Sequence, residues 1–153
     1  MLEMIACTKS EIAKKELTIS AALEGAKEKR LNLERTKEEL ADLVFSIAEK
    51  YKEGFDFKIN KMFLRKMKTK WGSYSSKGNL TVNPLLKYLP DALIEYVIFH
   101  EMVHSLERKH NERFWKIIGK KYKDYPTNEK DLLVYWFLMQ KENYFQKRRV
   151  EVV

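Results

Sequence analysis

The sequence predicts an α+β domain: a small, mostly antiparallel sheet packed on a buried helix, with further helices flanking it. Three observations predict it. Apolar residues recur at three- and four-residue steps over most of the chain. A stretch near the middle switches to period two and contains a turn signal. A segment from Leu93 to Leu106 that is apolar on nearly all sides follows directly, as a buried helix would.

With 153 residues, 44% of them hydrophobic, the chain fits one domain with a sizeable core. No apolar run approaches the roughly 20 residues that a membrane span needs. Met1 to Ala6 lacks the positive region and long apolar stretch of a secretory signal. Cys7 is the sole cysteine, which excludes an intrachain disulfide and a thiolate metal cluster, and favours a reducing, cytoplasmic setting. Thirty Lys and Arg against 22 Asp and Glu give a net charge of +8. Such a field attracts polyanions, so a weak nucleic-acid association is one expectation.

Residues 9 to 52 read as helical and strongly charged, with Ile12, Leu17, Leu31, Leu40, Leu43, Val44 and Ile47 as the apolar positions and Gly25 as a divider. Thr36 with Glu39 forms a capping box opening a helix over 37–52. Phe55, Phe57 and Ile59 alternate with polar residues, a strand signal. Phe63, Met67 and Trp71 share a face opposite Lys66, Lys68 and Lys70. Ser76-Lys77-Gly78-Asn79 reads as a hairpin turn returning into Leu80 to Val82. Asp91 is the expected N-cap of the apolar helix, and Asn111 of the next, which carries Phe114, Trp115, Ile117 and Ile118. Thr127 or Asn128 opens the last helix, and Lys147-Arg148-Arg149 forms a solvated basic tail. Residues 1–54 are thus a helical segment packed on or extending from the unit formed by 55–153, one globular domain overall.

All three histidines fall within eleven residues, His100 to His110, and open with His100-Glu101-Met102-Val103-His104. This is the H-E-x-x-H pattern of zinc peptidases. Residues four apart on a helix stand about 40° apart in azimuth and roughly 6 Å apart along the axis, so two imidazoles converge on one ion. Glu101 lies about 100° further round than His100, placed to act on the metal's water as a general base. Six residues past His104, a straight helix would carry His110 about 240° away. It joins the site only if the helix ends near Glu107 to Lys109 and the chain doubles back, which an N-cap at Asn111 favours. Three nitrogen ligands to one Zn2+ per chain leave a fourth position for water, as in catalytic sites. Glu129 is the substitute third ligand. The metal would acidify its water and polarise a carbonyl while Glu101 shuttles the proton. For the oxyanion, Tyr74, Tyr122, Tyr125 and Arg65 are the candidates. Leu80 to Asn83 is the candidate edge strand for an extended peptide.

The run Arg65 to Ser73, then Gly78-Asn79-Leu80, Leu89-Pro90, Tyr96 to His104, and His110 with Phe114-Trp115, resembles the YgjP-like group of zincin metallopeptidases, related to the SprT-like and WLM groups. The resemblance covers about half the chain. It implies a zincin-like fold for 55–153, zinc ligands at His100, His104 and His110, a catalytic Glu101, and a peptide or protein substrate. The region ahead of the sheet looks shorter and more helical than in that group. Glu107 stands where metzincins carry a glycine, which separates the chain from them. Two rival readings use the same residues. YbeY-type endoribonucleases share the ligand spacing, but Glu101 and Trp71-Gly72-Ser73 fit the peptidase pattern better. The other is a basic nucleic-acid-binding module with a non-catalytic metal site.

Overall fold

The computed structural model describes residues 29 and 31–151, with side chains as far as residue 140. The expectations for Cys7, Ile12, Leu17, Gly25 and the tail side chains therefore lie outside the described residues. Helix α1 spans Lys37–Gly54. Strands β1 (Met62–Leu64), β2 (Gly72–Tyr74) and β3 (Leu80–Val82) follow, and a 3-10 turn covers Pro84–Tyr88. Helices α2 (Asp91–Val103), α3 (Glu112–Lys121) and α4 (Tyr125–Glu151) complete the order. None of the described helices is long and apolar enough to cross a membrane.

The capping box at Thr36 is present: its hydroxyl accepts from Glu39 N, and Glu39 reaches back to Thr36 N. Among the described residues, helix begins only there. Residues 31–36 are irregular, and Leu33 is largely exposed. That segment has another task, since Arg35 donates to Lys87 O (3.0 Å) and Leu89 O (2.6 Å) and pairs with the Asp91 carboxylate. It thereby clamps the end of the 3-10 turn to the start of α2. Asp91 is the first residue of α2 rather than its cap, which is Pro90. A carboxylate in the first turn still complements the helix dipole.

The sheet differs from expectation. Its order is β1-β3-β2, with β2 antiparallel and β1 parallel to β3, so it is mixed. The expected strand over Phe55 to Ile59 is irregular chain. Phe55 and Phe57 stack on each other and pack edge-on against Phe99 of α2, so their alternation reflects contact with a helix, not a sheet. Phe63 is partly exposed, while Trp71 is fully buried and donates its indole N–H to Leu132 O (3.2 Å). The turn between β2 and β3 lies where the sequence places it, and Gly78 takes φ +79°, a left-handed value that glycine adopts without strain.

Helix α2 is the centre of the core. Leu93, Ile94, Tyr96, Val97, Ile98, Phe99, Met102 and Val103 are all buried. Leu40, Val44, Ile47 and Tyr51 of α1, with Trp71, Leu80, Val82, Phe114, Ile118 and Trp136, belong to the same apolar cluster. Helix α4 starts at Tyr125, earlier than expected, with Pro126 in the first turn, where its missing N–H costs nothing.

Asn83 holds the loop ahead of β2 in place. It is fully buried, donates to Met67 O and Lys70 O (both 2.9 Å) and accepts from Leu85 N (3.1 Å). Removing its amide strands two carbonyls and one N–H. Asn83→Ala is therefore expected to lower the unfolding free energy by about 2–4 kcal/mol, read by urea unfolding. A loss under about 0.5 kcal/mol would mean that the loop is held by something else.

Candidate metal centre

Helix α2 ends at Val103, and the next turn tightens. His104, Ser105 and Leu106 donate to carbonyls three residues back, Glu101 O, Met102 O and Val103 O. The helix thus stops earlier than the sequence reading places it, with His104 as its C-cap. The chain then reverses. Asn111 caps α3 by accepting from Phe114 N (3.0 Å), as expected, and its amide also donates to Glu107 (3.0 Å). This reversal returns His110 to the two helical histidines.

The three imidazoles converge. His110 Nε2 is 3.1 Å from His100 Nε2 and 3.1 Å from His104 Nε2, and the three candidate ligand atoms lie within 4.8 Å of one another. Two outer contacts set the tautomers. His104 Nδ1 is 3.0 Å from Glu107 O, and a carbonyl can only accept, so Nδ1 carries the proton. His100 Nδ1 faces the Glu129 carboxylate at 3.3 Å. In both rings Nε2 is left with its lone pair directed inward. A proton on His110 Nε2 could at best be shared between them, whereas one cation satisfies all three. Tetrahedral zinc with nitrogens at about 2.0–2.1 Å has ligand separations of about 3.3–3.4 Å, close to the spacing observed.

Burial favours the neutral form of His104 and His100. It lowers the His104 pKa to about 4, with His100 and His110 acting in the same direction. His100 is also lowered by burial, against an opposing pull from Glu129. Burial pushes the Glu129 carboxyl up, but its hydrogen bond to His100 and the charge interactions around it together hold it below its usual value. Neutral imidazole is the form that binds metal. Glu129, weighed from sequence as a substitute ligand, instead backs His100 on its outer side, the arrangement that orients metal-binding histidines.

Glu101 is 1% exposed, and its Oε1 has no hydrogen-bond partner among the described residues. Burial pushes its pKa up to about 8, while the Lys70 ammonium pulls it down. Its side chain lies over Gly72 of β2, where an added Cβ would stand 3.2 Å from Glu101 Cγ and 3.3 Å from Thr81 O. The strand can approach the helix this closely only through a glycine. Glu101, His104 and His110 line one cavity of about 150 Å3, with Lys70, Tyr74 and Arg108 on its other walls.

Of the four oxyanion candidates, Tyr74 alone lines this cavity, and its hydroxyl donates to Lys58 O (2.7 Å). Tyr122 hydrogen-bonds Tyr51 (3.0 Å) and packs on Tyr96 and Phe99. Tyr125 stacks on Trp115, and Arg65 follows β1 away from the cavity. Lys70, Gly72 and Arg108 were given no role at the site from sequence. The Lys-Trp-Gly run and the motif's continuation past His104 are the signals that contained them. The expected edge strand, Leu80 to Asn83, is the central strand, paired on both sides, and so cannot accept a peptide. The edge beside the cavity is β2.

Among curated proteins none matches. Several solved chains are similar over part of the chain, among them two archaeal proteins. The metallopeptidase zymogen of Pyrococcus abyssi abylysin is 22% identical with a TM-score of 0.45, covering 50% of this chain and 77% of its own. That of Methanocaldococcus jannaschii jannalysin is 22% identical with a TM-score of 0.48, covering 61% and 93%. A family model described as YgjP-like, metallopeptidase domain, matches residues 4–134, most of the sequence. On that match, the chain belongs to the YgjP-like family of metallopeptidase domains.

Proposed function

We propose that this domain is a zinc metallopeptidase in which His100, His104 and His110 hold one Zn2+ through Nε2 and Glu101 is the general base. The observation that carries the reading is the convergence of three imidazole Nε2 atoms beside a cavity lined by His104, His110 and the buried Glu101, whose Oε1 has no partner among the described residues. Bound zinc would supply Lewis-acid polarisation of the scissile carbonyl and acidify water in its open position. Glu101 accepts a proton on its carboxylate and delivers it to the leaving amine. Burial opposes the ionised carboxylate that this role requires, and the nearby Lys70 acts against burial in its favour. Strand β2, at the sheet edge, is the surface along which an extended peptide lies. Burial of His100 and Glu101 keeps bulk water from the inner side of the site.

Three outcomes check these roles. Elemental analysis of the dialysed protein is expected to give about one zinc per chain, and much less in His104→Ala. No zinc in either protein, even after zinc is offered, would end the proposal. Glu101→Gln is expected to keep its zinc while peptide hydrolysis falls by about 10²–10⁴-fold; full retained turnover would remove Glu101 from the mechanism. Gly72→Ala pushes a methyl group against Glu101, so it too should retain zinc while turnover falls at least about tenfold. Unchanged turnover in that variant would show that the close approach of β2 does not set the position of Glu101.

A further inference from the structure

A second cavity of about 430 Å3 lies beside the first. The two share walls, since His104, Tyr74 and Arg108 line both. Two more cations join Arg108 there: Lys58, from the segment ahead of β1, and Lys77, from the β2–β3 turn. No carboxylate lines this cavity among the described residues. Lys58, Lys77 and Arg108 form no ion pair with any described residue.

The backbone makes this a constructed concavity. Asn60 N–H donates to Gly78 O (2.7 Å) and Leu80 N–H to Lys61 O (2.8 Å), which ties the segment carrying Lys58 to the turn carrying Lys77. The Tyr74 hydroxyl adds a third tie by donating to Lys58 O (2.7 Å). The Ser105 hydroxyl is buried next to that of Tyr74. Three unpaired cations around a concave surface focus a positive potential on it. A guanidinium among them suits a carboxylate, which it can bind in bidentate fashion. The cations surround one hollow instead of running along a face, so they suit a small anionic group and not a polymer backbone.

We propose that the second cavity is a carboxylate subsite, in which Arg108, Lys58 and Lys77 take a carboxylate of the peptide substrate close to the bond to be cut. Residues of an extended peptide advance about 3.3 Å each, so a cavity sharing a wall with the metal centre is reached within one or two residues of the scissile bond. The carboxylate comes from an acidic side chain or from the peptide's own C-terminus. This inference rests on the peptidase reading above.

The test measures binding separately from turnover. Zinc-loaded full-length Glu101→Gln protein is titrated into fluorescein-labelled alanine octapeptides, read by anisotropy. One peptide carries a central Glu with an amidated end, one the matching Gln with an amidated end, and one the Gln with a free C-terminus. Either the Glu peptide or the free-C-terminus peptide is expected to bind about tenfold more tightly than the Gln amide, and which one does identifies the source of the carboxylate. That preference should shrink to within about twofold when Arg108→Gln and Lys58→Gln are added, with zinc content unchanged, and should weaken in high salt. Equal binding of all three peptides overturns the subsite, as does a preference that survives the added substitutions. Wild-type protein is given the same peptides with mass-spectrometric detection. Cleavage without charge preference leaves the peptidase reading standing and removes the subsite. A carboxylate preference in binding, with no cleavage of any peptide by zinc-loaded wild-type protein, keeps the subsite and removes the peptidase reading.

Discussion

The molecule is organised around the cost of drying two imidazoles and a carboxylate at the end of its most buried helix. His100 and Glu101 are 2% and 1% exposed, on a helix whose other faces are covered by apolar side chains. Polar groups in such a place need partners or they destabilise the fold. The neighbouring elements answer that need in different ways. Helix α4 provides Glu129 for His100, the tightened turn provides Glu107 O for His104, and the reversal at Asn111 returns His110. Glu101 keeps one oxygen, Oε1, without a hydrogen-bond partner among the described residues, and its side chain lines the cavity. A residue that combines full burial with an unmet hydrogen bond is poorly placed for stability and well placed for chemistry.

Much of this was legible in the chain because it depends on local rules. The capping box at Thr36, the apolar circumference of α2, the turn at Gly78 and the cap at Asn111 are each written in a few consecutive residues. The grouping of His100, His104 and His110 followed from helical spacing plus one break. What was misread depends on partners distant in sequence. Phe55 and Phe57 alternate as a strand would, yet their partner is Phe99, a helical residue more than forty positions away. Nothing local in Leu80 to Val82 distinguishes a central strand from an edge strand, since that depends on β1 arriving in parallel on the far side. Lys70, Gly72 and Arg108 received no role at the site for a related reason: each is an ordinary residue until the fold brings it to the cavity that Glu101 lines.

The sheet is small, but its order decides what the site can meet. With β3 in the middle, β2 is the strand that lies against α2 and also borders open space. Its glycine admits the helix, and its tyrosine separates the two cavities while lining both. Asn83, at the end of β3, anchors the loop that presents Lys70. Positions that read as sheet packing therefore determine the distance between strand and carboxylate, and the charge around it.

Phe114 gives the centre a direction. Its ring lies face-on to His104 and edge-on to His100 and His110, with centroids 4.7 to 4.9 Å away, and it is wholly buried. An apolar plate thus backs all three imidazoles, and it takes no part in lining the cavity beside them. On the peptidase reading proposed above, an ion and a peptide would share the approach through that cavity. A docked peptide would then slow the ion's exchange with solvent, and the ion would load most readily before the peptide docks. Chelators and substrates would compete for passage even though they bind different atoms.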